Sequence, residues 1–221
     1  MKLLPEYQFT PDMAKNLIDH LHKYDCNINL LLYVGGEPLF WEHLHECVSL
    51  FRKCGRVDKH IMITALVDGM EMSEYESLFD QINVSNYGDN RHLIDKYAVG
   101  NSKYVYYSRE NQNYIPRGRL PETIPCECLY HHSWLLNNRI YYCQIAGPIL
   151  LSGIDLKMSQ EEMDSYSWTF DEFFLNVDEY HSEFGTRAIC EACHNNPLVK
   201  KILGTPQEPY SVHGQSVYQI R

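Results

Sequence analysis

Two groups of residues in this chain have types and spacings suited to chemistry. The first is Gly35-Gly36-Glu37-Pro38. Two glycines let a backbone approach a ligand closely, and Glu37 adds one carboxylate. A carboxylate so placed can accept charge-assisted hydrogen bonds from an ammonium group. On these four residues alone, a tight turn with a surface Glu is the simpler reading.

The second group is a set of cysteines. The chain has eight. Cys26, Cys47 and Cys54 are scattered through the first quarter, whereas Cys126, Cys128, Cys143, Cys190 and Cys193 cluster in the second half. The gap in Cys190-Glu191-Ala192-Cys193 lets two thiolates face one metal. Cys143 ends a hairpin pattern that Cys126 or Cys128 begins. Four thiolates suit zinc or an iron–sulfur cluster, and their number alone does not choose between them. Free buried cysteine is the bland alternative. Against it, Cys126, Cys128, Cys190 and Cys193 sit in polar, turn-like sequence rather than on apolar faces.

The elements that must position these residues follow from patterning. Thr10-Pro11-Asp12 opens a helix with Leu17, Ile18 and Leu21 at helical spacing. Asn27–Val34 reads as a strand stopped by the glycine pair. Trp41 to Cys54 reads as a helix with Leu44, Cys47, Val48 and Phe51 on one face and Gly55 as its stop. Strands follow at Ile61–Leu66, Ile82–Ser85 and Lys103–Tyr107. Between them lie a short helix capped by Ser73 and another over Arg91–Ala98. Alternating strands and helices imply βα units on a parallel sheet, and ligands bind at the C-terminal ends of such strands.

The character changes near residue 110. Pro116, Pro121 and Pro125 mark an irregular linker. Beyond it, Leu135-Leu136 and Ile140–Cys143 read as a hairpin turning at Asn137-Asn138. Glu161–Asn176 reads as a helix. Two units are expected, residues 1–110 and residues 111–221.

Composition sets bounds. The chain has 221 residues and a net charge of −10, from 29 acidic and 19 basic residues. That balance disfavours nucleic acid or an anionic membrane surface as the main partner. The longest apolar run, Leu30–Val34, is far short of the ~20 residues that span a bilayer. No signal peptide is apparent, since Pro5 and Glu6 interrupt the first residues. A cytoplasmic location is expected, where disulfides are improbable.

Taken together, the two motifs bring a resemblance. Leu32 to Phe40 resembles the strand and turn of radical S-adenosylmethionine enzymes, whose Gly-Gly-Glu-Pro turn holds the amino group of the cofactor. Thr10 to Tyr24 is similar to that family's first barrel helix. Val84-Ser85-Asn86-Tyr87-Gly88 is similar to the end of its fourth strand. The cysteine half resembles the family's auxiliary-cluster extensions, termed SPASM and twitch. Cys128, nine residues, Asn138, four residues and Cys143 follow their opening pattern, and a start at Cys126 fits as well. Asn138 replaces a glycine, which Asn tolerates better than other side chains do. Cys190-x-x-Cys193 matches the next element. A full SPASM extension would have Cys where Val199 and Leu203 stand, so the single-cluster twitch type is the closer match.

The resemblance implies a partial, open parallel βα barrel lacking its first strand, followed by a small cysteine-rich extension with a β-hairpin. It implies cofactor contacts from Gly35, Gly36, Glu37, Pro38, Ser85 and Asn86. It also implies an auxiliary [4Fe-4S] cluster, or zinc, on Cys143, Cys190, Cys193 and one of Cys126 and Cys128. The sequence departs from the family at its catalytic motif. No Cys-x-x-x-Cys-x-x-Cys occurs, and only nine residues precede Thr10, none of them Cys. Thr64-Ala65-Leu66 also replaces a common Thr-Asn-Gly. S-adenosylmethionine is therefore expected as a cofactor only where a cluster segment is supplied, for instance by a partner polypeptide that also brings the missing strand. With it, the chain would act on a peptide, sugar or other small-molecule substrate. The rival expectation is a non-catalytic binding or accessory protein with a structural metal.

Overall fold

The computed structural model describes residues 9–34, 37–86, 89–108, 133–136, 138–141, 159–164, 166–176 and 215–220. Helix α1 (Pro11–Lys23) starts as its sequence dictates. The Thr10 hydroxyl accepts from the Met13 N–H, and Pro11 occupies the first turn, where no N–H is needed. Strand β1 (Ile28–Tyr33) follows, then a 3₁₀ turn over Pro38–Phe40 and helix α2 (Leu44–Cys54), which stops at Gly55 with φ +66°. Next come β2 (His60–Thr64), the short α3 (Ser73–Glu76) and β3 (Gln81–Asn86). After α4 (Arg91–Leu93), which widens into a π turn over Ile94–Ala98, comes β4 (Tyr104–Ser108). Ser73 does not cap α3; Met72 holds that position and makes no side-chain cap bond.

The four strands are parallel, in the order β4-β3-β2-β1, so chain order and sheet order run together. Successive side chains of each strand point to opposite faces. One face carries Leu31, Tyr33, Met62, Ile82, Val84 and Tyr104, which join Leu17, Leu21, Leu44, Val48 and Phe51 from α1 and α2 in the main core. Each such side chain contributes roughly 1.5–3 kcal/mol by leaving water. The opposite face carries Leu30, Leu32, Ile61 and Ile63 in a second, smaller apolar cluster.

The remaining strands are antiparallel. A hairpin of β5 (Ser133–Leu136) and β6 (Arg139–Tyr141) turns through Asn138, whose φ of +55° is left-handed. Asn adopts this backbone more readily than other side-chain-bearing residues, which fits its standing in for a glycine. The helix expected over Glu161–Asn176 is instead three elements: α5 (Gln160–Asp164), β7 (Ser167–Thr169) and α6 (Phe170–Leu175). Two interactions, one local and one long-range, override the helical pattern. Thr169 and Glu172 form a reciprocal capping box that starts a new helix. Arg139 donates to the Ser167 hydroxyl at 2.6 Å and to its carbonyl at 3.1 Å, drawing this segment onto β6.

The sequence leaves the second edge of β1 open or paired with another chain. In the structure, β8 (Gln215–Ile220) covers it, antiparallel, and joins β5 on its other side. One eight-stranded sheet results, in the order β4-β3-β2-β1-β8-β5-β6-β7. A second contact between the two halves lies on α1. Lys23 Nζ and the Tyr24 hydroxyl donate to Asp171 at 2.8 and 2.6 Å, and the rings of His20 and Tyr24 stack on Phe174. Among the described residues, no helix is long and apolar enough to cross a membrane.

Candidate functional site at the C-terminal ends of the parallel strands

Glu37 follows β1 and begins the 3₁₀ turn. It is buried, only 5% exposed, which rules out the surface Glu of a simple tight turn. Its Oε1 accepts from the Thr64 hydroxyl at 2.6 Å and from the Leu39 N–H at 3.2 Å. Its Oε2 accepts from the Ala65 N–H at 2.8 Å. Burial raises the Glu37 pKa, and these three hydrogen bonds oppose the rise by favouring the charged form. A carboxylate offers about four acceptor sites, so about one remains for a further donor.

The network extends across the next strand end. Asn90 Nδ2 donates to the Ala65 carbonyl and, at 2.9 Å, to the Ser85 carbonyl. Asn90 is the N-cap residue of α4, yet its side chain makes no cap bond. It bridges β2 to β3, as Glu37 bridges β1 to β2. Between the two bridges Leu66 has φ +63°, a left-handed backbone that costs a side-chain-bearing residue roughly 1–2 kcal/mol. The Leu66 N–H donates to the Thr64 hydroxyl at 2.9 Å, and burial of the Leu66 side chain holds the turn.

Of the residues expected at a cofactor site, Glu37, Pro38, Ser85 and Asn86 are buried at the C-terminal ends of β1 and β3. Ser85 and Asn86 do not share a face. By strand alternation, Ser85 lies with Asn83 on the side of Leu32 and Ile61, and Asn86 lies on the helix-covered side with Val84. The structure therefore brings Glu37, Thr64, Ala65, Ser85 and Asn90 into one polar network. Gly35 and Gly36 lie outside the described residues, as do Cys126, Cys128, Cys143, Cys190 and Cys193. Among the described residues, no group of three or more His, Cys, Asp or Glu side chains converges to hold a metal.

Sequence reasoning noted Thr64-Ala65-Leu66 only as a departure from a pattern and missed Asn90 altogether. An Asn before a helix reads as a cap, and only the tertiary structure turns its amide back toward two strand ends. Burial raises the pKa of Cys26 and Cys54 and pushes that of Cys47 up to about 12, which disfavours the thiolate form of each. His60 shares a 2.9 Å hydrogen bond with the buried Tyr33 hydroxyl. Burial, aided by Arg52, depresses its pKa to about 4, against the opposing charge of Asp80.

A concavity of about 370 Å³ lies on the antiparallel half, lined by Arg139, Asp164, Ser167, Trp168, Glu172 and Asn176. Its polar groups serve the fold. Arg139 is spread over Ser167, and Glu172 caps α6. In comparison with family models and with curated proteins, no family model and no curated protein matches the chain.

Proposed function

We propose that this chain is a radical S-adenosylmethionine-like iron–sulfur protein whose C-terminal half carries a twitch-type auxiliary cluster. The observation that carries the reading is the buried Glu37 at the end of β1, joined to the ends of β2 and β3. Parallel strands in unbroken chain order support a partial barrel, because a doubly wound sheet reverses its order at a switch point and the parallel strands among the described residues do not. Ligands of such sheets bind at the end where Glu37, Thr64 and Ser85 lie. The free acceptor position of Glu37 suits one N–H of an ammonium group.

The hairpin supports the cluster. Trp134 pairs with Tyr141, so the chain enters β5 and leaves β6 at the same end. Cys143 is two residues beyond Tyr141, and Cys128 is five before Ser133. At ~3.5 Å per residue the chain is long enough on both sides for the two to meet at one centre at that end. Cys143, Cys190, Cys193 and one of Cys126 and Cys128 would hold a [4Fe-4S] cluster, with zinc as the alternative metal. Such a cluster would supply electron transfer or structural stapling. Activity on a peptide, sugar or other small molecule would require a Cys-x-x-x-Cys-x-x-Cys segment from elsewhere, together with S-adenosylmethionine.

One observation favours a second reading. Three acceptor positions of Glu37 are already taken by Thr64, Ala65 and Leu39. Glu37 then serves as a strut, and the chain is a non-catalytic accessory protein with a metal-stapled tail. Anaerobic purification with iron, sulfide and zinc analysis tests the main proposal. About four irons and four sulfides per chain are expected, with visible absorbance that Cys193→Ala removes. Zinc at one per chain supports the second reading, and no metal at all overturns both.

A further inference from the structure

The two halves of the sheet meet at one strand. Strand β8 pairs with β1 through Ile28↔Ile220, Leu30↔Tyr218 and Leu32↔Ser216. On its other side it pairs with β5 through Ser133↔Val217 and Leu135↔Gln215. No pairing between β1 and β5 exists among the described residues; the order of the sheet places β8 between them. Both walls of this gap are therefore strand edges, and a strand edge presents backbone N–H and C=O groups to whatever lies beside it.

We infer that the gap between β1 and β5 is a strand-acceptor site, filled here by residues 215–220 and able to take the same strand from a second copy of the chain. Three features argue for this occupant. Recognition runs through the backbone on both sides, and backbone pairing is indifferent to which molecule supplies the strand. The 38 residues 177–214, between α6 and β8, can reach about 125 Å when extended at ~3.3 Å per residue. Eight strands at ~4.8 Å span only about 38 Å, so a connection of that length does not by itself require β8 to come from the same copy. Finally, neither Ile28–Tyr33 nor Gln215–Ile220 contains a charged residue. Charged side chains are the usual means by which an edge rejects a foreign strand, and here both partners lack them. Exchange of an identical element between copies is a low-cost route to a dimer.

This inference rests on strand pairing and not on the iron–sulfur reading. Its test is peptide capture during refolding. The full chain is unfolded in urea and refolded with excess fluorescein-labelled peptide of residues 213–221. Labelled and scrambled peptides are compared, for the unaltered chain and for Val217→Pro. Val217 pairs with both Leu31 and Ser133, and proline removes its N–H and breaks a central strand. The unaltered chain is expected to retain the labelled peptide and not the scrambled one. The vacated site of Val217→Pro is expected to retain the peptide at least tenfold more tightly. Should Val217→Pro not fold, the unaltered chain decides alone. Failure of every folded chain to retain the labelled peptide above the scrambled control overturns the inference.

Discussion

The Glu37 carboxylate accepts the Thr64 hydroxyl at 2.6 Å, tying the end of β1 to the end of β2. Both residues are almost fully buried, so neither has water as an alternative partner. Removing one partner strands the other, and a buried polar group without a partner costs roughly 1–3 kcal/mol. Glu37→Ala leaves the Thr64 hydroxyl and the Ala65 N–H without this acceptor and is expected to cost about 3 kcal/mol in urea unfolding. Thr64→Val is expected to cost about 1–2 kcal/mol. In the double variant the two costs should fall short of additivity by about 1 kcal/mol or more. Full additivity would show that the bond carries no coupling.

Asn90 offers a sharper comparison. Its amide donates to two strand-end carbonyls, those of Ala65 and Ser85. Asn90→Asp keeps the shape but sets a carboxylate against two carbonyl oxygens. It should destabilise the protein more than Asn90→Ala, by about 1–2 kcal/mol, when both are measured by thermal unfolding at neutral pH.

At Leu66 the usual ranking of substitutions should invert. A buried Leu→Ala change costs about 2–5 kcal/mol through lost burial and the cavity left behind. Glycine would ordinarily be worse still. Here φ is +63°, where glycine escapes the penalty that alanine retains. Leu66→Gly is therefore expected to unfold about 1 kcal/mol later than Leu66→Ala. The opposite order would count against a left-handed backbone at this position.

His60 should make the fold sensitive to acid. Its pKa lies near 4 in the fold and near 6.5 in the unfolded chain, so between these values the unfolded chain binds the extra proton. Stability is complete above pH 6.5 and falls as the pH drops toward 4. The full shift corresponds to about 3 kcal/mol. Glu37 works in the other sense. Its raised pKa means that the folded state binds its proton more tightly, so its contribution to stability declines as pH rises through the folded value. Urea unfolding at pH 7, 5.5 and 4.5 should show a net acid loss that His60→Gln reduces. A ring that titrates near 6.5 by NMR in the folded protein would refute this account.

Under the proposed function, the 221-residue chain incubated anaerobically with dithionite and S-adenosylmethionine yields no 5′-deoxyadenosine. The auxiliary cysteines would occupy every iron of their cluster and leave no open site for the cofactor. Production of 5′-deoxyadenosine by this chain would mean that one of its cysteine groups builds an open cluster.

Much of the first half was legible because its signals are local. Thr10 and Pro11 start α1, Gly55 stops α2, and short apolar runs mark β1 to β4; each depends on residues within a turn or two of itself. Asn138 belongs with them, since its left-handed turn follows from its own side chain and its place between two apolar pairs. What the tertiary structure decided depends on partners distant in the chain. The segment 161–176 carries a helical pattern, yet Arg139 pulls Ser167 into a strand from 28 residues away. No element is expected from the sequence at Gln215–Ile220, which becomes a strand by pairing with β1, more than 180 residues earlier in the chain. The polar network at the strand ends shows the same division. Glu37 announced itself by its neighbours in sequence. Its partners Thr64 and Ala65, and Asn90 beyond them, were chosen by parallel pairing, because in βα units adjacent strand ends are separated by a whole helix of sequence.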